Sequence, residues 1–262
     1  MPSLKLWAFQ KTESNTIKTV VYADATSFSS KEQFHSKWNM LYPWGAEHNG
    51  SAKMFPENVN VKNGVLTIKS EYNQGADDGT SKHNPYLKIN FRSGAVHLKE
   101  QIVVNDSLPY WEISADFKAP IAYGSWPAFW ITGANSWPPE IDILEFKGNT
   151  TCLQNTVTGP DWRNTIWTTE TTTVTDAHTK WHNYKLIIKK IDSINTEVLM
   201  FIDDELKSKE VKDFTNKPFW LIINMQMEGA SGRTNENAIV KKEPQYFYTK
   251  NIYVAGKTKI KP

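Results

Sequence analysis

Short runs of β-branched and aromatic residues, separated by turn-forming residues, recur along this 262-residue chain and constrain its fold more than any other feature. Few segments show a helical period with credible caps. This pattern predicts an all-β protein whose antiparallel strands form a sandwich or a barrel. The predicted strands cover residues 18–22, 59–61, 65–70, 87–91, 95–98, 111–118, 128–132, 141–146, 184–190, 197–202, 220–225 and 251–254.

Turn residues separate these runs and set some of their connections. Asn63-Gly64, between two predicted strands, is a strong hairpin signal, and Asp203-Asp204 occupies a similar place after Phe201. The polar stretch 72–85 predicts a long surface loop. No repeat, linker or low-complexity tract divides the chain, so we expect one domain over residues 1–262, with its core at about 30–256.

Charge and cysteine content exclude several classes of protein. Thirty basic and 28 acidic residues are spread along the chain, which argues against binding to nucleic acid or to an anionic membrane. No apolar run reaches the roughly 18 residues of a membrane-spanning helix. The single cysteine, Cys152, excludes an internal disulfide, argues against a zinc site and is expected to be buried. We expect no metal and no cofactor in the site.

Aromatic residues are unusually abundant, with 11 Trp, 10 Tyr and 12 Phe. Tryptophan is large and amphipathic, so numbers beyond the needs of a core indicate surfaces that stack on flat ligands. Sugar rings are flat ligands of this kind. The composition therefore favours a carbohydrate-binding protein.

The segment 137–146, WPPEIDILEF, carries the candidate chemistry. Its prolines predict a loop that leads into a strand beginning near Glu140. On a strand of period two, Glu140 and Asp142 share one face, whereas Glu145 would lie on the apolar face, where an unpaired carboxylate is costly. A β-bulge at Ile143-Leu144 would return all three acids to one face, and we predict that bulge.

Three carboxylates on one face repel each other, and hydrolysis of a glycosidic bond would explain why they are held together. In a retaining glycosidase one carboxylate attacks the anomeric carbon, and the other acts as general acid and then as general base. Asp142 could hydrogen-bond the nucleophile and help keep Glu145 protonated. Two alternatives stay open: an acidic surface strand without a role, and a structural calcium site, which usually prefers loop residues and is not indicated here.

These residues resemble glycoside hydrolase family 16, in the branch with the bulged motif E-x-D-x-x-E that contains laminarinases, agarases, porphyranases and carrageenases. The resemblance rests on residues 125–130, SWPAFW, and on Glu140, Asp142 and Glu145, and it extends over about residues 30–256. It implies a β-jelly-roll sandwich of two antiparallel sheets, similar to concanavalin A, with an open substrate cleft. It also implies endo-acting hydrolysis with retention, with Glu140 as nucleophile and Glu145 as acid/base.

The segments around Trp137-Pro138-Pro139 and Gln226 depart from the common laminarinase pattern, so we favour an algal galactan of the porphyran or agar type as substrate. An endo-β-1,3-glucanase of the laminarinase type is the alternative within the family. A non-catalytic lectin on the same sandwich is the alternative from another class, although a lectin has no need for all three acids. A transglycosylase would share every catalytic residue.

Several residues are candidates for sugar binding. Trp126 and Trp130 share a strand face with the small Ala128 between them, a layout that would leave a groove, although either indole could belong to the core. Arg92 could bind a sulfate or a hydroxyl, or form a cross-strand salt bridge. The resemblance places His97 near the cleft. The full set of candidates is Trp126, Trp130, Trp137, Arg92, His97, Trp162, Arg163, Trp167 and Gln226.

A polysaccharide cannot enter a cell intact, so we expect a secreted, periplasmic or cell-surface protein whose signal peptide has been trimmed. We expect a monomer whose partner is a polysaccharide or oligosaccharide.

Overall fold

A computed structural model describes residues 16–228 and 242–260, so the predicted domain limits at residues 1 and 262 lie outside the described residues. Within those residues, no helix combines the length and apolar composition that crossing a membrane requires. Helix α1 covers Lys31–Lys37, and two 3-10 helices cover Ala25–Phe28 and Pro56–Asn58. The strands are β1 (Thr16–Ala23), β2 (Trp38–Met40), β3 (Ala52–Met54), β4 (Val59–Lys62), β5 (Val65–Tyr72), β6 (Phe91–Ser93), β7 (Ala95–Leu98), β8 (Ile102–Val103), β9 (Tyr110–Lys118), β10 (Ser125–Gly133), β11 (Glu140–Phe146), β12 (Thr151–Thr158), β13 (Ile166–Thr173), β14 (His182–Lys190), β15 (Thr196–Ile202), β16 (Glu205–Lys212), β17 (Pro218–Met227) and β18 (Gln245–Ile260).

The described strands form two sheets, which confirms the predicted all-β jelly-roll sandwich. The ten-stranded sheet has the order β16-β15-β14-β9-β18-β5-β6-β3, with β1 paired to β18 and β4 to β5. The eight-stranded sheet has the order β13-β12-β11-β10-β17-β7-β2, with β8 paired to β17. Pairing is antiparallel apart from that of β3 with β6. The candidate site lies on the eight-stranded sheet.

Large apolar side chains fill the space between the sheets. β9 alternates as predicted, and its Trp111 and Phe117 are fully buried beside Phe129 of β10 and Phe146 of β11. Burial of each such side chain contributes about 1.5–3 kcal/mol. Cys152 is buried as predicted. Packing in the core therefore fixes the inner faces of β10 and β11, and the outer faces of these strands are available to form the site.

Both predicted hairpin turns are confirmed. Asn63 and Gly64 have φ angles of 53° and 77° and join β4 to β5. Asp203 and Asp204, with φ angles of 52° and 64°, join β15 to β16. Two central residues with positive φ match the right-handed twist of the flanking strands, and Asn, Asp and Gly tolerate that conformation.

The predicted bulge in β11 is also confirmed. Asp142 pairs with Asn155 of β12 and Glu145 with Leu153, so two residues of β11, Ile143 and Leu144, oppose one residue of β12. That residue, Gln154, donates a hydrogen bond from Nε2 to the carbonyl of Ile143 at 2.9 Å. This hydrogen bond gives the carbonyl of Ile143 a partner within the buried sheet, and the side chains of Ile143 and Leu144 both pack in the core.

The strand prediction was incomplete. The short strands β2, β3 and β8 and the longer strands β12, β13 and β16 were not predicted, and the strand expected at 87–91 is reduced to its last residue, where β6 begins. β13, with the sequence IWTTETTT, is an edge strand on which nearly every residue is exposed. A strand exposed on both faces has no apolar alternation from which it could be predicted.

Candidate active site

A cleft of about 1030 Å³ lies over the outer face of the eight-stranded sheet. Its floor comes from β10, β11 and β17, and its sides come from residues 44, 48–49, 83–84, 134–137, 147, 162 and 167. Glu140, Asp142 and Glu145 all line this cleft. The bulge therefore brings the three predicted catalytic residues to one place, as the sequence indicated.

Each of the outer two carboxylates accepts a hydrogen bond from a tryptophan. Trp137 Nε1 donates to Oε2 of Glu140 at 3.0 Å. Trp126 Nε1 donates to Oε1 of Glu145 at 2.7 Å. The glutamate side chains are thus fixed by indoles that also line the cleft, which holds the reactive groups beside surfaces on which a sugar can stack.

Asn155 of β12 links Asp142 to Glu145. Its Nδ2 donates to Oδ2 of Asp142 at 2.8 Å and to Oε2 of Glu145 at 3.0 Å. Its Oδ1 accepts a hydrogen bond from Thr169 Oγ1 of β13 at 2.7 Å, which fixes the orientation of the amide. Sequence analysis missed Asn155, because its role depends on the pairing of β12 with β11 and β12 was not predicted.

Burial and mutual repulsion dominate the electrostatics of the site. Burial raises the pKa of Glu140 to about 8, and the hydrogen bond from Trp137 opposes that shift. Burial, followed by the charges of Glu140 and Glu145, raises the pKa of Asp142 well above its usual range. The carboxyl cluster therefore retains a proton at neutral pH, and that proton belongs to the cluster as a whole.

Comparison with known proteins identifies the family. The profile of "Glycosyl hydrolases family 16" matches residues 54–243. The chain belongs to this family. It is 36% identical over 214 residues to a galactan endo-beta-1,3-galactanase of Flammulina velutipes, a match that covers 79% of this chain and 81% of that protein.

Solved structures share the fold. A LamA variant from Z. galactanivorans in complex with laminaritriose and laminaritetraose superposes with a TM-score of 0.62 at 21% identity, covering 84% of this chain and 92% of that one. The laminarinase catalytic domain of Thermotoga maritima MSB8 also gives 0.62 at 21% identity, covering 96% and 100%. Membership of family 16 makes the chain a glycoside hydrolase.

All five tryptophans predicted to bind sugar in this family 16 protein line the cleft, and four of them lie outside its buried floor. Trp126 and Trp137 contact the glutamates, and Trp162 and Trp167 extend the aromatic surface beyond Trp137, whose ring centre is 6.2 Å from that of Trp167. Trp162 is 65% exposed and Trp167 is 49% exposed. Indoles left this open to solvent are available to stack on sugar rings.

Trp130 and Gln226 also line the cleft, but both have structural contacts. Trp130 is almost fully buried in a second apolar cluster, and its Nε1 donates to Oδ1 of Asn224 at 2.7 Å. Gln226 is buried, and its amide exchanges two hydrogen bonds with the backbone of Ala52. These two residues form the floor of the cleft beneath its open surface.

The structure does not bring Arg92, His97 or Arg163 into the cleft lining. Arg92 forms a bidentate salt bridge with Asp78. A salt bridge was one of the two predicted roles of Arg92, but Asp78 lies in a loop and not on a neighbouring strand. His97 is buried, with Nδ1 at 2.9 Å from the carbonyl oxygen of Leu41. Arg163 lies outside the lining, with its guanidinium 4.7 Å from the ring of Trp162.

Other cleft residues were missed by sequence analysis. His48 stacks on Trp130 with ring centres 5.9 Å apart and contacts His83, and burial lowers the pKa of His48 to about 3, so it stays neutral. Trp44 packs against Trp130 from the same side. The Lys147 ammonium group lies 3.1 Å from Oε1 of Glu145. These residues lie in loops with no periodic pattern, and no local signal distinguishes them from ordinary loop residues.

Trp162→Ala is expected to raise KM for a long polysaccharide by about tenfold, equivalent to about 1.4 kcal/mol, with little change in kcat, because an exposed indole away from the carboxylates contributes binding and no chemistry. Steady-state kinetics on polymers and short oligosaccharides would measure this. Trp181→Ala, outside the cleft beside β14, is the control. An unchanged KM in the Trp162 variant would exclude Trp162 as a binding surface.

Proposed function

We propose that this protein is a retaining endo-β-galactanase in which Glu140 is the nucleophile, Glu145 is the general acid and base, and Asp142 assists both. One observation carries the proposal: the bulge in β11 places three buried carboxylates on one face of the strand, within an open cleft lined by tryptophans. An open cleft admits the interior of a polymer, which supports cleavage within the chain.

In the first step, the Glu140 carboxylate attacks the anomeric carbon while Glu145 gives its proton to the departing glycosidic oxygen. The bond from Glu140 to the sugar forms as the glycosidic bond breaks. Trp137 Nε1 donates to Oε2 of Glu140, and this contact orients the carboxylate for attack. The negative charge that remains on Glu145 is stabilised by the hydrogen bonds from Trp126 and Asn155.

In the second step, Glu145 acts as a base. It takes a proton from water, the water oxygen attacks the anomeric carbon, and the Glu140 carboxylate leaves. Two inversions at one carbon give net retention. Trp126 of β10 and Asn155 of β12 donate to Glu145, so the same two donors serve it in both steps.

A β-linked galactan is the proposed substrate. The support is the 36% identity to the galactanase of Flammulina velutipes over four fifths of both chains. That protein is an endo-β-1,3-galactanase by name, so β-1,3-galactan joins the porphyran and agar types as a candidate substrate. Action on an external polymer places the enzyme outside the cytoplasm, and we propose that it works as a monomer without a cofactor.

A panel of β-1,3-galactan, porphyran, agarose, carrageenan, laminarin and lichenan, with detection of new reducing ends, tests the proposal. Hydrolysis of a galactan with retained configuration by NMR is the expected result. Cleavage of laminarin alone would favour the glucanase alternative, and binding without cleavage would favour a lectin. Repeating the reaction with an added acceptor glycan separates hydrolysis from transglycosylation.

Asp142→Asn is expected to lower kcat by roughly 100-fold, equivalent to about 2.7 kcal/mol, which is a smaller loss than for either glutamate. The amide oxygen can still accept the hydrogen bond from Asn155, but an amide cannot take up or release the proton that the carboxyl cluster shares. Initial rates on galactan measure the loss. A loss equal to that of Glu140→Ala would give Asp142 a direct part in bond formation.

A further inference from the structure

An exposed threonine on the edge strand β13 reaches two of the catalytic carboxyls through one buried amide. Thr169 Oγ1 donates to Oδ1 of Asn155 at 2.7 Å. Asn155 Nδ2 donates in turn to Oδ2 of Asp142 at 2.8 Å and to Oε2 of Glu145 at 3.0 Å. Thr169 pairs directly with Asn155 in the ladder between β13 and β12, so the register of these strands brings the hydroxyl to the amide.

The side chain of Asn155 uses its full hydrogen-bonding capacity in these contacts. It is 3% exposed, and its two Nδ2 hydrogens go to two carboxyls. Among the described residues, Thr169 is the only side chain that donates to Oδ1. A buried acceptor that loses its donor carries a free-energy penalty, and rotation of the amide towards another donor would relieve it. The same rotation would move Nδ2 away from both carboxyls.

The orientation of this amide matters because its two ends have opposite polarity. Nδ2 carries hydrogens for Asp142 and Glu145, whereas an oxygen in the same place would be repelled by any ionised carboxylate. The hydroxyl of Thr169 gives Oδ1 a donor at the other end of the amide. The hydroxyl and the two carboxyls therefore favour the same orientation of Asn155.

Alternation along β13 separates the side chains that face the site from those that face the other sheet. Trp167 and Thr169 are two residues apart and lie on one face of the strand, and Trp167 lines the cleft. Thr168, between them, accepts a hydrogen bond from Lys212 Nζ at 2.8 Å. Lys212 lies on β16 of the ten-stranded sheet. The contacts of Thr168 and Thr169 are thus independent of each other.

We infer that Thr169 is a positioning residue for the proposed reaction, and that its hydroxyl holds the Asn155 amide so that Nδ2 donates to Asp142 and Glu145 together. This inference rests on the proposed function. Thr169 lies outside the cleft lining, so it acts on the reaction only through Asn155. An N–H group can donate to a carboxyl oxygen whether or not that carboxyl carries a proton. The amide held in this orientation can therefore support Glu145 both as acid and as base.

The test compares Thr169→Val and Thr169→Ser with the wild type by steady-state kinetics on whichever polysaccharide of the panel the protein cleaves. Valine has nearly the shape of threonine but places a methyl group where the hydroxyl was, so Oδ1 loses its donor. In Thr169→Val, kcat should fall by about tenfold while KM stays within about twofold of the wild type. Thr169→Ser keeps a hydroxyl and should retain kcat within about twofold.

Thr168→Val is the matched control. It makes the same substitution at the neighbouring residue and also removes one hydrogen bond, the one from Lys212, on the opposite face of the strand. Both kcat and KM should be unchanged. If loss of a hydroxyl acted by loosening β13, Thr168→Val would lower activity as well, and KM would rise in both variants through the displacement of Trp167 in the cleft.

A double-mutant cycle with Asn155→Ala tests whether Thr169 acts through the amide. Asn155→Ala removes the donor to both carboxyls, so its loss of kcat should exceed that of Thr169→Val. In the double variant the hydroxyl has no amide to hold. Its kcat should therefore equal that of Asn155→Ala, because two residues that act as one unit are not additive.

Four kinetic results would overturn the inference: a kcat for Thr169→Val within about twofold of the wild type, an equal loss in Thr169→Ser, an equal loss in Thr168→Val, and losses that multiply in the double variant. NMR signals of the Asn155 side-chain amide, assigned with Asn155→Ala, report the contact without activity. They should shift in Thr169→Val and not in Thr168→Val, and unchanged signals in Thr169→Val would also overturn the inference. A shift in a protein that cleaves no polysaccharide of the panel would refute the proposed function alone.

Discussion

Glu140→Ala is expected to lower kcat on galactan by at least roughly 10,000-fold, equivalent to about 5.5 kcal/mol, while binding of oligosaccharides is retained. The nucleophile contributes the bond to the anomeric carbon, and no other described carboxylate has the same contact with Trp137. Initial rates and isothermal titration with a product oligosaccharide measure the two quantities. Activity within about tenfold of the wild type would refute the assignment of Glu140.

Glu170→Ala is the matched control, because Glu170 is an exposed carboxylate on β13 of the same sheet and does not line the cleft. It should retain full activity. A preparation of Glu140→Ala that has lost both activity and oligosaccharide binding, while Glu170→Ala keeps both, would indicate a structural role for Glu140.

The same position gives a test by stability. The folded-state pKa of Glu140, about 8, is above its ordinary value of 4.5, so its ionisation destabilises the fold as pH rises between those two values. Glu140→Gln removes that ionisation. The gain in Tm over the wild type should be smallest below pH 4.5 and should grow until about pH 8, and a gain independent of pH would contradict the assigned electrostatics.

The arrangement of the three acids on β11 could be predicted from the sequence, because strand alternation and the cost of burying a carboxylate conflict at a single residue, Glu145. An odd offset would place Glu145 in the core at a cost of several kcal/mol, and a bulge at Ile143-Leu144 removes that cost. The turns at Asn63-Gly64 and Asp203-Asp204 were predictable for a similar reason, since few residues tolerate positive φ. In each case a short segment contains the whole physical constraint.

The partners of those carboxylates could not be predicted, because they arrive through pairing of distant segments. Asn155 reaches Asp142 only when β12 is aligned with β11 around the bulge, and His48 reaches Trp130 only after its loop folds across the sheet. Arg92 shows the same limit, because the loop residue Asp78 could not be chosen from the other acids of the chain. Sequence periodicity reports which face a side chain occupies but does not report its neighbour.

Glu145→Ala is expected to nearly stop cleavage of natural galactan while sparing the first step on an aryl galactoside. A natural leaving group must be protonated as it departs, whereas a dinitrophenolate leaves without a proton. Glu140 then attacks the anomeric carbon and aryloxide departs. Water attacks the glycosyl-enzyme slowly because its base is missing, so the covalent intermediate should accumulate and be visible by mass spectrometry of the intact protein.

Azide separates the roles of the two glutamates, because it is an anionic nucleophile that needs no base. In Glu145→Ala the vacated space is bordered by Trp126 Nε1, Asn155 Nδ2 and the Lys147 ammonium group, which are donors suited to an anion. Azide should attack the anomeric carbon from that side, displace the Glu140 carboxylate and give a β-glycosyl azide. In Glu140→Ala it should replace the nucleophile on the opposite side and give an α-glycosyl azide, with Glu145 protonating the leaving group. NMR of the azide products distinguishes the two, and the same anomer from both variants would show that the assigned roles, or the double-displacement mechanism, are wrong.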